Sequence, residues 1–216
     1  MCQLLAGGAA IVTLSMGIRH GCGLGLQPIT QEMGWTHQSF ALALAIQNIA
    51  WGLVGVFAGM AADRFGAFRV LVVGAVLYGL GLVGMALSPT TLLFALTTGL
   101  LIGAAQAGTT YAVIYGVLGR QIAPGKRSWA MGVAAAAGSF GQFLMVPVEG
   151  FLIASLGWQT ALLALALMVL LIAPLAYAMA DGHKPSSGAG QSVVEALHEA
   201  SRERSFHYLF WGYFVC

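Results

Sequence analysis

Six long apolar runs constrain the fold of this chain more than any other feature of its sequence. Each run is close to the ~20 residues that a helix needs to cross a bilayer. The runs cover approximately residues 4–27, 38–61, 69–87, 91–118, 129–151 and 160–180. Membrane β-strands would instead alternate polar and apolar residues in segments of about ten, a pattern that this sequence does not follow. The sequence therefore predicts an all-α integral membrane protein with six spanning helices.

Composition agrees with a bilayer environment. Hydrophobic residues make up 59% of the chain and charged residues only 7%, whereas charged residues account for about a quarter of a typical soluble domain. The formal net charge of +2 is too small to indicate a nucleic-acid partner. Three cysteines form no spaced motif, so we expect no disulfide framework, no metal site and no cofactor.

Basic residues divide the loops into two groups. Eight of the nine Lys and Arg residues fall in the loops after the second, fourth and sixth runs: Arg64, Arg69, Arg120, Lys126, Arg127, Lys184, Arg202 and Arg204. The other loops, at 28–37, 88–89 and 155–159, carry none. Because cytoplasmic loops are rich in Lys and Arg, this asymmetry predicts that the N-terminus lies in the cytoplasm.

Three segments follow from this pattern. Residues 1–180 form the predicted six-helix bundle, and residues 181–206 form a cytoplasmic linker with an amphipathic helix that opens at a Ser192/Glu195 capping box. Residues 207–216 begin a seventh apolar run that is too short to cross a bilayer. We therefore expect a chain that is truncated within a seventh helix.

Arg19 is the basic residue that lies inside an apolar run, about fifteen residues into the first. Burying a cation at this depth is costly, so its side chain should face protein or a watery cavity. It can bind the carboxylate of a substrate, form an intramolecular ion pair or extend to the outer interface. The adjacent His20 is either a titrating group or a hydrogen-bonded packing residue.

Polar residues in other runs indicate a central polar cavity. The candidates are Gln47, Asn48, Gln106, Thr109, Thr110, Tyr111, Tyr115, Ser139 and Gln142. Each alone is equally consistent with interhelical hydrogen bonding. Glu149, near the end of the fifth run, has three open roles: an ion pair with Arg19, a proton site or an interfacial carboxylate.

Glycines repeat at four-residue spacing in two runs. Gly17, Gly21 and Gly25 share one helix face, and so do Gly99, Gly103 and Ala107. Such faces allow a neighbouring backbone to approach closely. The spacing predicts tight helix packing. Such packing occurs in static bundles and in bundles whose helices move against each other, so it does not by itself indicate transport.

The loop after the second run carries a recognisable motif. It reads Gly59-Met-Ala-Ala-Asp63-Arg64-Phe-Gly66-Ala-Phe-Arg69, which resembles the signature G-x-x-x-D-R-x-G-x-x-[RK] of the major facilitator superfamily. The resemblance implies a transporter of two six-helix halves, with substrate near the midplane between them. It also implies an inner gating latch, in which Asp63 accepts from a facing helix N-terminus while Arg64 and Arg69 hold the cytoplasmic side.

Two further segments resemble one particular branch of this superfamily. Met16-Gly-Ile-Arg19-His20-Gly and Gly-Ser-Phe-Gly-Gln142 with Pro147 resemble the bacterial branch that includes oxalate/formate and monocarboxylate porters. That resemblance implies a bacterial inner-membrane location. Where many relatives carry arginine in an R-x-x-x-G pattern this chain has Gly99 before Gly103, so proton coupling through that arginine does not follow.

These observations predict a secondary active transporter that moves a small organic anion, such as a monocarboxylate, by alternating access. Its partners are the bilayer, the small-molecule substrate and a missing C-terminal six-helix half. The predicted substrate-binding residues are Arg19, His20, Asn48, Gln106, Tyr111 and Gln142. The alternatives are an efflux transporter for drugs or other small solutes and a half-length fragment without transport activity. An enzyme or a channel is disfavoured, because the sequence has no catalytic cluster and no re-entrant half-spans.

Overall fold

The structure is a computed structural model that describes residues 2–180, 199 and 201–215. Within this part of the chain six helical segments are long and apolar enough to cross a membrane, which confirms the predicted fold class. They are α1 (Gln3–Met33), α2 (His37–Phe65), α3 (Ala67–Ala86), α4 (Thr91–Gln121), α5 (Pro124–Leu156) and α6 (Trp158–Met179). A further helix, α7, covers Arg204–Val215. The described residues contain no strand.

The chain divides into two compact units, Met1–His183 and Lys184–Cys216. The first unit contains α1 to α6, and the second contains α7. The helix predicted to open at the Ser192/Glu195 capping box, within the 181–206 linker, begins among residues 181–198, which lie outside the described residues. Its prediction therefore remains an expectation.

Connections on both sides of the bundle are short, and glycine makes two of them possible. Gly66, between α2 and α3, has φ 89°, and Gly157, between α5 and α6, has φ 79°. Side chains with a Cβ rarely adopt a positive φ, whereas glycine does so at no steric cost. Gly66 is thus the single residue that links α2 to α3.

Three of the spanning helices are irregular, and in α6 the irregularities are a turn at 170–171 and a 3-10 turn at Tyr177–Met179. α1 contains a 3-10 turn at Cys22–Gly25, and α4 contains a π-helical segment at Ala95–Leu101. α4 is also interrupted at Thr110, whose backbone is extended (φ −117°, ψ −157°). Irregular turns of this kind are frequent at functional sites. Thr110 takes part in the polar network described below.

The α1 glycine face packs against α5. A Cβ on Gly17 would overlap Met145 and the Gly141 carbonyl, and a Cβ on Gly21 would overlap the Glu149 carboxyl group. Gly141, Met145 and Glu149 are spaced four residues apart, so they form the matching face of α5. The predicted tight packing is confirmed for Gly17 and Gly21, whereas the contact of Gly25 is with Ile29 of its own helix.

The α4 glycine face packs against α2. A Cβ on Gly99 would lie 2.8 Å from Ile46, and one on Gly103 would lie 2.6 Å from the Gln47 carbonyl. These distances are shorter than van der Waals contact. The two backbones can therefore approach only because both positions are glycine, which confirms the second predicted glycine face.

Burial differs strongly between the helices. In the most apolar 18-residue stretch of each helix, 50% of the residues are buried in α1 and in α4, but only 22% in α2 and in α5. Exposed large apolar side chains therefore concentrate on α2 and α5, including Leu53, Phe57, Phe140, Phe143 and Phe151. α1 and α4 form the centre of the described bundle, and α2 and α5 present apolar faces outward.

Candidate functional site

A polar pocket surrounds Arg19 on the sides of α1 and α2. Its volume is about 190 Å³. The residues that line it are Arg19, His20, Gly23, Leu44, Gln47 and Asn48. His20 and Asn48 are exposed, Arg19 is half-buried and Gln47 is buried. The structure thus brings together three of the six predicted substrate-binding residues: Arg19, His20 and Asn48.

Two residues of α2 hold the Arg19 guanidinium. Its Nη2 atom donates to Oδ1 of Asn48, and its Cζ atom lies 4.3 Å from the centre of the Trp51 ring. A cation at this distance over an indole face is attracted by the negative face of the ring. Asn48 in turn donates to the Leu44 carbonyl at 2.9 Å. The guanidinium is therefore oriented by one amide and one aromatic ring.

A hydrogen-bond network fixes the position of Trp51. Its Nε1 atom donates to Oγ1 of Thr110 at 3.0 Å, and the Thr110 hydroxyl donates to the Gln106 carbonyl at 2.8 Å. The side chain of Gln106 donates to the Tyr78 hydroxyl at 3.1 Å. The network joins α2, α4 and α3, so the ring beneath Arg19 is supported by the centre of the bundle.

The contacts of Arg19 leave its charge available. Among the described residues Asp63 pairs with Arg120, whereas Arg19 contacts only neutral groups. Its Nε atom is buried without a hydrogen-bond partner in the described part of the chain. Of the alternatives left open by the sequence, the intramolecular ion pair is therefore not formed in this structure. A planar guanidinium with free donors is suited to bidentate binding of a carboxylate.

The other three predicted substrate-binding residues lie outside this pocket. Gln106 is fully buried and bonds to Tyr78. Tyr111 is half-buried and packs on Tyr115, with ring centres 5.2 Å apart. Gln142 is half-buried on α5. The structure therefore does not bring Gln106, Tyr111 and Gln142 together with Arg19, and it makes Gln106 part of the supporting network.

Glu149 is buried between α1 and α6. Its side chain is 1% exposed, and it lines a small enclosed space with Gly21, Cys22 and Trp158. Within the described residues, its Oε1 atom has no hydrogen-bond partner. The structure does not pair it with Arg19, and its burial excludes an interfacial, water-exposed position in this conformation.

At the opposite end of the bundle, the Gly59–Arg69 motif forms an ion pair that the sequence did not predict. Asp63, at the end of α2, pairs with Arg120 at the end of α4. The resemblance instead implied a facing helix N-terminus as the partner of Asp63. The guanidinium of Arg64 lies 5.4 Å from the ring centre of Phe65. A Cβ on Gly59 would meet nothing within 4 Å among the described residues.

Three important residues were missed at the sequence level. Trp51 and Tyr78 were overlooked because an aromatic residue in an apolar run is typical of lipid-facing or core positions. Trp51 lies three residues after Asn48 and thus on the same helix face, which was the signal available. Arg120 was counted only as a loop charge. Its pairing with Asp63 depends on the packing of α2 against α4.

Comparison with known families now identifies the class of protein. Residues 5–216 match the family model described as Major Facilitator Superfamily. The chain belongs to the major facilitator superfamily. The fold class expected from the sequence and the resemblance of the Gly59–Arg69 motif agree with this assignment.

Curated relatives of the chain include monocarboxylate transporter 11 from Mus musculus and from Homo sapiens. The mouse protein is 32% identical over 169 residues, covering 76% of this chain and 36% of its own length. The human protein is 31% identical over 169 residues, covering 76% of this chain and 35% of its own length. The chain therefore spans about a third of the length of the curated relatives that it matches.

Solved structures with a similar fold include two peptide transporters. The in meso crystal structure of the POT family transporter PepTSo matches with a TM-score of 0.66 and 14% identity, covering 92% of this chain and 41% of that one. A peptide transporter of the POT type in complex with alafosfalin matches with a TM-score of 0.60 and 16% identity, covering 99% of this chain and 44% of that one. At these identities the likeness shows the fold alone.

Proposed function

We propose that the chain is part of a secondary active transporter that moves a small organic anion, a monocarboxylate, across a membrane by alternating access. The observation that carries this proposal is the Arg19 guanidinium, which is half-buried in a membrane-spanning helix and contacts only neutral groups among the described residues. A cation at such a position is costly, and a bound anion would offset that cost. Membership of the superfamily and similarity to proteins named monocarboxylate transporters support the same proposal.

In the proposed mechanism Arg19 binds the substrate carboxylate. Asn48 and Trp51 orient the guanidinium, and His20 and Gln47 offer further polar groups at the wall of the pocket. The Nε2 atom of Gln47 is buried without a partner in the described residues. An amide in this state can donate to a substrate hydroxyl or carbonyl, and a buried unpaired donor is costly until it does so.

We further propose that a second helical bundle completes the site. Two observations support it. The apolar faces of α2 and α5 are exposed, since only 22% of their most apolar 18-residue stretches is buried, and the mouse relative is much longer than this chain, which covers 36% of it. Substrates of this superfamily bind between two halves. Gln142 and Tyr111, which lie outside the Arg19 pocket, would line the site only when the second bundle is present.

The eight basic residues in alternate loops support an orientation with the N-terminus in the cytoplasm. The Asp63–Arg120 pair and the Arg64 and Arg69 side chains then lie on the cytoplasmic side. In this proposal the pair is part of an inner latch that must open when the site faces inward. A bacterial inner membrane as the location rests on the sequence resemblance alone.

Glu149 is our proposed proton site. An unpaired carboxylate in an apolar enclosure is costly, whereas a protonated carboxyl group is neutral. The titratable and charged groups near this enclosure are Cys22 on α1 and, farther away, Arg19 and Tyr78. A movement of α1 against α5 would expose the carboxyl group, so proton binding and release would accompany the change of access.

The alternative is efflux of drugs or other small solutes by the same fold. An unpaired cation in the pocket disfavours cationic substrates, because like charges repel in a medium of low dielectric constant. A half-length fragment without activity is the remaining alternative.

An uptake assay distinguishes these functions. The 216-residue chain, and the same chain joined to a second six-helix bundle from a related transporter, are reconstituted in proteoliposomes. Uptake of labelled lactate, of an aliphatic amine and of a lipophilic cation is then compared. We expect saturable uptake of lactate by the joined protein. Uptake of the cations without uptake of any monocarboxylate would contradict the proposal.

A further inference from the structure

An apolar groove runs along the side of the bundle where α2, α3 and α4 meet. Its volume is about 350 Å³, which exceeds that of the Arg19 pocket. Small and aliphatic residues form most of its wall, including Ala58, Ala61, Val73, Leu77 and Ala104. Among the described residues that line it, Arg69, at the start of α3, is the charged one. The groove is thus apolar along its length and cationic at one end.

The cation at the end of the groove is not neutralised within the bundle. Arg69 is exposed, and it has no ion pair among the described residues, because Asp63, the nearest acidic residue in sequence, pairs with Arg120 instead. A second guanidinium, that of Arg64, lies 5.4 Å from the ring centre of Phe65, and Phe65 also lines the groove. The mouth of the groove therefore favours a negatively charged group.

The dimensions of the groove favour a flexible chain over a helix. Arg69 and Leu77 are eight residues apart on α3, so the groove extends about 12 Å along the helix axis. A packed helix of that length, about 10 Å across, would occupy roughly 900 Å³, more than twice the space available. An acyl chain is narrower than a helix and can lie along the wall that Val73 and Ala104 help to form.

We propose that this groove binds one phospholipid with an acidic headgroup from the leaflet on the side of the Phe65–Ala67 connection. One acyl chain lies between α2, α3 and α4, and the headgroup phosphate accepts hydrogen bonds from Arg69. The attraction of acidic lipids to basic residues at a membrane surface adds to the burial of the acyl chain. This assignment gives Arg69 a role distinct from the latch and does not depend on which substrate is transported.

Photo-crosslinking tests the site. The 216-residue chain is prepared with p-benzoylphenylalanine in place of Val73, which lines the groove, or in place of Leu80, an exposed α3 residue outside it. Each protein is placed in nanodiscs with equal amounts of phosphatidylglycerol and phosphatidylcholine. Mass spectrometry then gives the ratio of the two lipids in the adducts. We expect phosphatidylglycerol to be enriched about fivefold at position 73 relative to position 80.

Four substitutions in the position 73 protein establish specificity. Arg69→Gln should abolish the enrichment, while Arg69→Lys, which keeps the charge, should retain most of it. Lys126→Gln removes an equal charge from the start of α5 and should leave the enrichment unchanged. Ala61→Phe fills the groove and should reduce the yield of all lipid adducts at position 73.

The proposal is overturned if positions 73 and 80 show the same lipid ratio, or if the ratio at position 73 does not respond to Arg69→Gln. An adduct at position 73 with a second copy of the chain would show a protein occupant and would also overturn it. If the Arg69→Lys protein retains the enrichment, the loss of enrichment in Arg69→Gln is due to the missing charge and not to a folding defect.

Discussion

The Arg19 guanidinium lies 4.3 Å from the centre of the Trp51 ring. This contact joins α1 to α2, and the Trp51 indole is itself bonded to Thr110 of α4 at 3.0 Å. The charge that we assign to substrate binding is therefore positioned by the packing of three helices. Substitutions that alter this relationship should change substrate affinity more than they change folding.

Replacing Trp51 tests the positioning role. In the joined transporter, Trp51→Leu removes both the aromatic face and the donor to Thr110, so we expect the KM for lactate to rise about tenfold. Trp51→Phe keeps a ring without the donor and should have an intermediate effect. Trp129→Leu, at an exposed position on α5, is the control. Equal KM values for all three variants and the wild type would contradict the role of Trp51.

Gly21 should be intolerant of a side chain because of Glu149. A Cβ at this position overlaps the Glu149 carboxyl group, so Gly21→Ala should lower the free energy of unfolding by about 1–3 kcal/mol. Gly52→Ala is the control, because a Cβ there meets no atom of the described residues within 4 Å and alanine favours a helix. Thermal unfolding in detergent measures both effects.

A double-mutant cycle tests whether the lower stability of the Gly21→Ala protein comes from contact with Glu149. Glu149→Ala shortens the opposing side chain and should restore much of the stability of the Gly21→Ala protein, so that the two effects are not additive. Additive losses would show that Gly21 is required for a reason other than contact with Glu149.

The Asp63–Arg120 pair should matter for transport more than for folding. Both side chains are partly exposed, 64% for Asp63 and 31% for Arg120, and an exposed ion pair contributes at most about 1 kcal/mol. We therefore expect Asp63→Arg to change the unfolding temperature little but to alter the maximal uptake rate. The exchange of both residues, Asp63→Arg with Arg120→Asp, should restore the rate. If the exchange variant transports as slowly as the single variant, the Asp63–Arg120 pair is not part of the latch.

Glu149→Gln tests the proposed proton site. Glutamine has nearly the same size but cannot gain or lose a proton in this pH range. Uptake driven by an inward pH gradient should be lost in this variant, while exchange of internal for external lactate should persist. Glu32→Gln is the control, since Glu32 is an exposed carboxylate that accepts from Trp158 Nε1 at 2.6 Å. A normal response of Glu149→Gln to the gradient would exclude Glu149 as the coupling group.

Much of the fold follows from local sequence properties. Run length identifies the six helices, and four-residue glycine spacing identifies Gly17, Gly21, Gly99 and Gly103 as contact positions, because periodicity alone decides which residues share a helix face. The requirement for Gly66 is equally local, since it reflects a positive φ.

The site was only partly predictable because periodicity does not say which face meets which helix. Arg19 and Asn48 were identified by their polarity in apolar runs, and they do meet. Gln106 has the same polarity, yet it faces Tyr78 inside the bundle. The pairing of Asp63 with Arg120 likewise requires the packing of α2 against α4, which leaves no local trace in the sequence.

The central claim is that Arg19 binds the substrate carboxylate, and competition with an uncharged analogue tests it most directly. Inhibition of labelled lactate uptake by unlabelled lactate and by lactamide is measured for the wild-type joined transporter and for Arg19→Gln. We predict that lactate binds the wild type at least about tenfold more tightly than lactamide, and that Arg19→Gln abolishes this preference. An Arg19→Gln protein that still takes up lactate with wild-type affinity and the same preference over lactamide would contradict the account.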